Sequence, residues 1–257
     1  MRHWRAWLVP LTALVLMAGL AIGGADRQVF LWLNALGPAT ADAPWANVTI
    51  VGDTLVAFAL CLPLWRRRPD VLWALVIAAL LAAAWSRGLK PLVDEPRPPA
   101  VLGDAVHVIG PAFRSDSFPS GHATAAFAIA GLYVIGLRLR AAAILVLAVA
   151  FLTAISRAVV GVHWPNDIAG GMLGGWLAAV IGVAVAERTR RFGLHPHVQW
   201  AIFAFLAACA AVLAFGPARE YPQAELFQRA IAICCLVAAA TRLRRGSDPG
   251  QRRHPGL

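Results

Sequence analysis

The sequence predicts an all-α membrane protein, a helical bundle of about eight transmembrane segments, on three observations. Of its 257 residues 60% are hydrophobic and only 14% are charged, and the apolar residues fall in long uninterrupted runs. Unpaired backbone groups are so costly in hydrocarbon that helices are the conformation open to such runs. The formal charge of +10 comes from Lys and Arg in short clusters beside the runs, with no long basic face. That pattern excludes nucleic acid as a partner and marks topology instead.

The runs can be taken in order. The first, 8–24, follows a basic start at Arg2 and Arg5, and the second, 48–65, ends on Arg66, Arg67 and Arg68. The third, 70–86, leads into a Pro-rich segment. The fourth, 121–137, opens on Ser120-Gly121-His122 and ends before Arg138 and Arg140. The fifth, 141–157, ends on Arg157, and the sixth, 167–186, is followed by Arg188, Arg190 and Arg191. The seventh, 198–216, and the eighth, 227–241, close with Arg242, Arg244 and Arg245. Each run is near the ~20 residues a spanning helix needs. Eight crossings put the interhelical basic clusters and both termini on one side, which the positive-inside rule makes cytoplasmic. A cleaved signal peptide over the first run, with Ala21 to Ala25 as its small-residue cleavage region, is the alternative. It leaves the orientation of the remaining chain unchanged.

Cys61, Cys209, Cys234 and Cys235 all fall in expected spans without zinc-type spacing, and read as small apolar packing residues. No metal or other cofactor is expected. With no repeat and no soluble domain visible, residues 1–245 read as one integral membrane domain and 246–257 as a polar cytoplasmic tail.

Three polar clusters interrupt this apolar pattern, all on the outer side. The first is Lys90 and Arg97, just past the third helix among Pro91, Pro96, Pro98 and Pro99, which are expected to preclude a continuous helix and stiffen the loop. A Lys offers a mobile point charge and an Arg a planar fork of donors, a combination suited to a tetrahedral oxyanion. Lipid-headgroup contact is the bland reading, but basic residues on the outer side run against the topology rule.

The second cluster places Ser120, Gly121 and His122 at the start of the fourth helix, where free backbone N–H groups and the positive dipole end favour anions. Ser120 is suited to capping, and Gly121 lets an oxyanion approach the backbone. Capping does not account for His122, which is placed to donate a proton to a leaving group. In the third, Arg157 ends the fifth helix and His163 precedes Trp164-Pro165-Asn166-Asp167. Pro165 suits a helix's first turn, so Asp167 begins the sixth helix and turns back onto His163, fixing one imidazole nitrogen and freeing the other to attack.

Read together, the clusters resemble the tripartite signature of the type 2 phosphatidic acid phosphatase family, which shares its core with vanadium haloperoxidases. The matching elements are Lys-x6-Arg-Pro from Lys90 to Pro98, Pro-Ser-Gly-His at 119–122, and Ser-Arg-x5-His-x3-Asp from Ser156 to Asp167. The resemblance covers roughly residues 71–186, the catalytic core of a family-like six-helix bundle; the first two and last two helices carry no motif. It implies metal-independent hydrolysis of a phosphate ester or diphosphate through a phosphohistidine. His163 would be the nucleophile, Asp167 its orienting partner and His122 the acid, with Lys90, Arg97, Ser120, Gly121 and Arg157 binding phosphoryl oxygens.

It further implies a multi-pass protein of the bacterial inner membrane with its site facing the periplasm or exterior. The substrate would be a lipid phosphate: phosphatidic acid, phosphatidylglycerol phosphate, undecaprenyl diphosphate or lipid A. The motifs would look the same in a lipid phosphotransferase. A transporter binding a lipid phosphate would use the same anion cradle, but it would carry its site near mid-membrane on broken helices. An intramembrane serine hydrolase using Ser120 or Ser156 lacks a Gly-x-Ser-x-Gly elbow. His107 and the loop residues Arg219, Glu220 and Glu225 read as surface groups. The segment between the first two clusters reads equally as a cover for the site or as ordinary loop. An acceptor pocket, a homo-oligomer interface and simple packing all remain open for the last two helices.

Overall fold

The computed structural model describes residues 6–138, 141–217 and 220–246; Arg2, Arg5, Arg140, Arg219 and the tail beyond Gly246 lie outside the described residues. Every regular element among the described residues is helical. The chain runs through α1 (Leu8–Gly23), α2 (Asp26–Asn34), α3 (Leu36–Thr40), α4 (Asp42–Thr49) and α5 (Thr54–Cys61). It continues through α6 (Pro69–Val93), α7 (Pro98–Leu102), α8 (Gly121–Gly131) and α9 (Ala143–Val159). The last elements are α10 (Pro165–Arg188), α11 (Arg190–Gly193), α12 (Pro196–Phe215) and α13 (Glu225–Gly246). Helix starts follow local chemistry. Pro occupies the first turn of α6, α7, α10 and α12. Asp53 caps α5 by accepting from the N–H groups of Leu55 and Val56 at 2.8 and 3.2 Å.

All eight apolar runs are helical. Among the described residues four helices are long and apolar enough to cross a membrane by length and composition, and up to six if each of two bent pairs is one span. The bent pairs are Leu8–Gly23 with Asp26–Thr40, at 108°, and Asp42–Gly52 with Thr54–Leu64, at 64°. The helices Gly121–Gly136 and Ala143–Val159 are shorter. The stretch between the first two runs, expected as a connection, is helical as α2 to α4. Long-range contacts tie it to the rest of the fold: Asp26 accepts the Asn166 N–H at 2.9 Å, and buried Asn34 donates to the carbonyls of His107 and Val159 at 2.7 and 3.0 Å.

One correction concerns Lys90, expected past the third helix but found in the last turn of α6, which continues through Pro91 to Val93. Pro91 removes one donor near the end of the helix. The turn then closes with Asp94 in the left-handed region, its N–H on the Lys90 carbonyl at 2.9 Å.

Helix α10 is the central element, and its glycines set how closely its neighbours approach. A Cβ on Gly171 would meet the Ser120 carbonyl and Ala123 of α8, one on Gly174 the Trp85 ring of α6, and one on Gly175 the Thr124 backbone. A Cβ on Gly182 would press on Ala74 and Ala78 of α6. Small residues on both faces thus bring α6 and α8 against α10 at backbone distance. The pair α12 and α13 packs mainly on α5.

The two ends of the bundle differ in chemistry. Arg68, Arg138 and Arg190 gather with Asp70 and Glu187 around one end, where Arg68 also donates to the Gly136 carbonyl at 2.8 Å. The C-terminal ends of α6 and α9 and the N-terminal ends of α8 and α10 form the other, and all three polar clusters meet there.

Candidate active site

The four helix ends converge on His163, which is 2% exposed in the connection between α9 and α10. Its Nδ1 lies 3.2 Å from Asp167 Oδ2, and its Nε2 lies 3.3 Å from the Arg97 guanidinium. A carboxylate on one nitrogen and a cationic donor on the other assign the proton to Nδ1 and the lone pair to Nε2. Burial first, then the charges of Arg97, Arg157 and Lys90, hold this imidazole neutral well below the usual histidine range.

Asp167 sits in the first turn of α10, fully buried. Its Oδ2 also accepts from the Trp164 N–H at 2.8 Å and from Ser117 Oγ at 2.6 Å. The helix start thus positions the carboxylate and the carboxylate positions the imidazole, a sequence-local device four residues long.

Arg97 caps the start of α7 from extended backbone and is 8% exposed. Besides His163 it holds the carbonyls of Ser115, Asp116 and Val162 at 2.7, 3.2 and 3.1 Å. Lys90 donates to the same Asp116 carbonyl. Arg157, 2% exposed in the last turn of α9, donates from one guanidinium nitrogen to Thr49 Oγ1 and Tyr221 Oη, at 2.7 and 2.8 Å. Its Nε is buried with no partner.

None of Lys90, Arg97 and Arg157 pairs with a carboxylate among the described residues. Buried charges are ordinarily paired, and a buried one left unpaired is costly. Two buried guanidiniums and a half-buried ammonium gathered beside an imidazole form a set chemically suited to an anion.

At the start of α8, buried Ser120 accepts the Ala123 N–H at 3.5 Å and donates its own N–H to the Asp167 carbonyl at 3.0 Å. Gly121 faces open space where a Cβ would stand, leaving the backbone approachable. His122 Nε2 is buried without a hydrogen-bond partner. An apolar groove of roughly 500 Å³ runs from Gly121 and Thr124 between α5, α6, α8 and α12, past Ala79, Leu132 and Phe205.

The structure therefore brings together Lys90, Arg97, Ser120, Gly121, His122, Arg157, His163 and Asp167. It leaves His107 apart, paired at 2.8 Å with Asp42 and half exposed, in keeping with the surface reading. Sequence reasoning missed Ser117, Thr49 and Tyr221, whose hydroxyls reach Asp167 and Arg157. Ser117 was within reach as a small polar residue three before Ser120; Thr49 and Tyr221 carry no local signal.

Comparison with known proteins gives a consistent picture. The model of the PAP2 superfamily matches residues 71–191. The putative undecaprenyl-diphosphatase YbjG of Escherichia coli (strain K12) is 33% identical over 168 residues, 61% of this chain and 80% of that protein. The crystal structure of Aquifex aeolicus LpxE superposes with a TM-score of 0.57 at 29% identity, covering 62% of this chain and 94% of that one. A transmembrane PAP2-type phosphatidylglycerolphosphate phosphatase from Bacillus subtilis shares the fold, with a TM-score of 0.54 at 23% identity over 74% of this chain and 99% of that one.

Proposed function

We propose that this chain, a membrane-embedded phosphatase that belongs to the PAP2 superfamily, hydrolyses a polyprenyl diphosphate to the monophosphate through a phosphohistidine on His163. The observation that carries this reading is the position of His163 Nε2, 3.3 Å from Arg97 within a set of cations that form no ion pair with a carboxylate among the described residues.

The terminal phosphoryl group lies between Lys90, Arg97, Arg157 and the open backbone at Gly121, which hold its non-bridging oxygens. Nε2 attacks phosphorus in line, and the bond to the bridging oxygen breaks. His122 gives its proton to that oxygen, releasing the lipid monophosphate. Water then attacks the phosphohistidine as His122 takes a proton back, which frees orthophosphate and restores the imidazole. Asp167 keeps Nδ1 protonated and balances the charge that develops on the ring.

The groove supports a lipid substrate. It is lined almost wholly by apolar side chains and begins at Gly121, so a hydrocarbon chain lying in it presents its phosphate to the α8 N-terminus. The similarity to YbjG makes undecaprenyl diphosphate the first candidate. The basic end of the bundle, opposite the site, supports a site on the outer face of the cytoplasmic membrane under the positive-inside rule.

The test is orthophosphate release by the detergent-purified protein from undecaprenyl diphosphate, phosphatidylglycerol phosphate, phosphatidic acid and lipid A, each beside a His163→Ala control. A preference for the diphosphate is expected. Release equal to that of the control on every lipid would overturn the hydrolase reading.

A further inference from the structure

We infer that Tyr221 is a positioning residue of the phosphate cradle, delivered to the site by the connection between α12 and α13. The inference rests on reading Lys90, Arg97 and Arg157 as that cradle. It assigns the appended helices a part in the reaction.

Three contacts define the placement. Tyr221 is 1% exposed, and its Oη accepts from Arg157 at 2.8 Å while the guanidinium carbon stands 5.9 Å from its ring centroid. Thr49 Oγ1 accepts from the same nitrogen at 2.7 Å, so two neutral oxygens hold one edge of the guanidinium. The ring also fits against Gly110, whose φ of +86° and lack of a Cβ admit it: a Cβ there would come within 2.8 Å of both the Tyr221 ring and the Glu220 carbonyl. Gly110 belongs to the same connection as Ser115, Asp116 and Ser117, which Arg97 and Asp167 hold.

The choice of acceptors matters more than their number. A carboxylate at position 221 or 49 would neutralise Arg157 and compete with the substrate for it. Hydroxyls fix the guanidinium without removing its charge, and Nε stays buried and unpartnered. Neither Thr49 nor Tyr221 lies in residues 71–191, the segment matching the family model, so the cradle draws on elements at both ends of the chain.

The test compares wild type, Tyr221→Phe, Arg157→Lys and the double variant, as purified full-length protein. Two readouts are followed: phosphate release from undecaprenyl diphosphate, and the rise in melting temperature produced by orthovanadate. Phe keeps the ring against Gly110 and removes one acceptor of a charged donor. We expect kcat/KM to fall about tenfold and the vanadate stabilisation, taken relative to each protein's own ligand-free melt, to shrink. In the Arg157→Lys background the same change should add less than about twofold, because Tyr221 then has no guanidinium to hold. Thr49→Val removes the companion acceptor by an independent route and is expected to reproduce the pattern.

Activity and vanadate response within about twofold of wild type for Tyr221→Phe would overturn the assignment. So would an equally large loss in both backgrounds. A wild type that binds vanadate but releases no phosphate from any lipid would sink the hydrolase reading, while the vanadate comparison would still decide the role of Tyr221. A wild type that does neither overturns the cradle and Tyr221's role with it.

Discussion

Asp167 Oδ2 lies 3.2 Å from His163 Nδ1 and 2.6 Å from Ser117 Oγ, so one carboxylate oxygen ties the imidazole to the loop that precedes α8. Asp167→Asn keeps the volume but offers an amide in place of the acceptor, which favours the wrong tautomer. The expected loss in kcat is on the order of a thousandfold, with KM little changed. Ser117→Ala removes only a donor to the carboxylate and is expected to lower kcat about tenfold. Steady-state phosphate release on both variants checks the ordering; a Ser117→Ala loss as large as that of Asp167→Asn would contradict it.

Because burial and three neighbouring cations hold His163 neutral well below the usual histidine range, the acid limb of kcat/KM should lie below the normal histidine value once substrate ionisation is divided out. Binding a phosphate places negative charge beside Arg97 and Arg157 and offsets their effect, so the acid limb of kcat should sit at higher pH. Stability has its own sign. The unfolded chain protonates this histidine below about pH 6.5 while the native site does not, so the melting temperature should decline as pH falls below that value. His163→Gln should flatten part of that decline. A kcat limb more acidic than the kcat/KM limb would refute the electrostatic account.

How much of this was legible in the sequence differs by residue. Lys90, Arg97, His163 and Asp167 stood out because ionisable groups are anomalous beside apolar helices, and the spacing from His163 to Asp167 encodes a local contact across one helix start. Thr49 and Tyr221 did not stand out, since a hydroxyl is unremarkable in any segment and their meeting at Arg157 spans 108 and 64 residues of chain. The helices α2 to α4 were missed for a related reason. Their stretch is interrupted by polar residues such as Asp26, Asn34 and Asp42, and the bond from Asn166 N–H to Asp26 and the clasp of Asn34 on His107 and Val159 exist only in three dimensions.

Arg97 and Arg157 are both buried and form no ion pair with a carboxylate among the described residues, yet they should differ when removed. Arg97→Met strips donors from the carbonyls of Ser115, Asp116 and Val162 and is expected to cost about 3 kcal/mol of stability as well as activity. Arg157→Met removes an uncompensated buried charge and frees two hydroxyls that can reorient. Its melting temperature should equal or exceed that of wild type while kcat/KM falls on the order of a hundredfold. Thermal melts in detergent beside activity separate the two, and a strong destabilisation by Arg157→Met would count against a site that is electrostatically incomplete without its anion.

Gly171 faces the Ser120 carbonyl and Ala123, so it sets the distance between α10, which carries Asp167, and the N-terminus of α8, which carries Ser120 and His122. Gly171→Ala forces those ends apart and is expected to destabilise by about 1–3 kcal/mol while lowering kcat disproportionately. Gly19→Ala, in α1, where a Cβ would meet nothing within 4 Å, is the control and should leave both melt and activity near wild type. Equal behaviour of the two variants would detach the glycine face of α10 from the geometry of the site.

His122 Nε2 is buried with no partner, a state that is unfavourable unless a substrate atom occupies the missing position. If that atom is the leaving-group oxygen, the value of His122 depends on how much help the departing group needs. Against aryl phosphates the loss from His122→Ala should grow as the leaving group becomes more basic: small for p-nitrophenyl phosphate, and on the order of a hundredfold or more for an alkyl phosphate. A general phosphate-binding role predicts instead the same loss across the series. The slope of log kcat/KM against leaving-group pKa, steeper in the variant than in wild type, therefore distinguishes a proton donor from one more ligand of the anion.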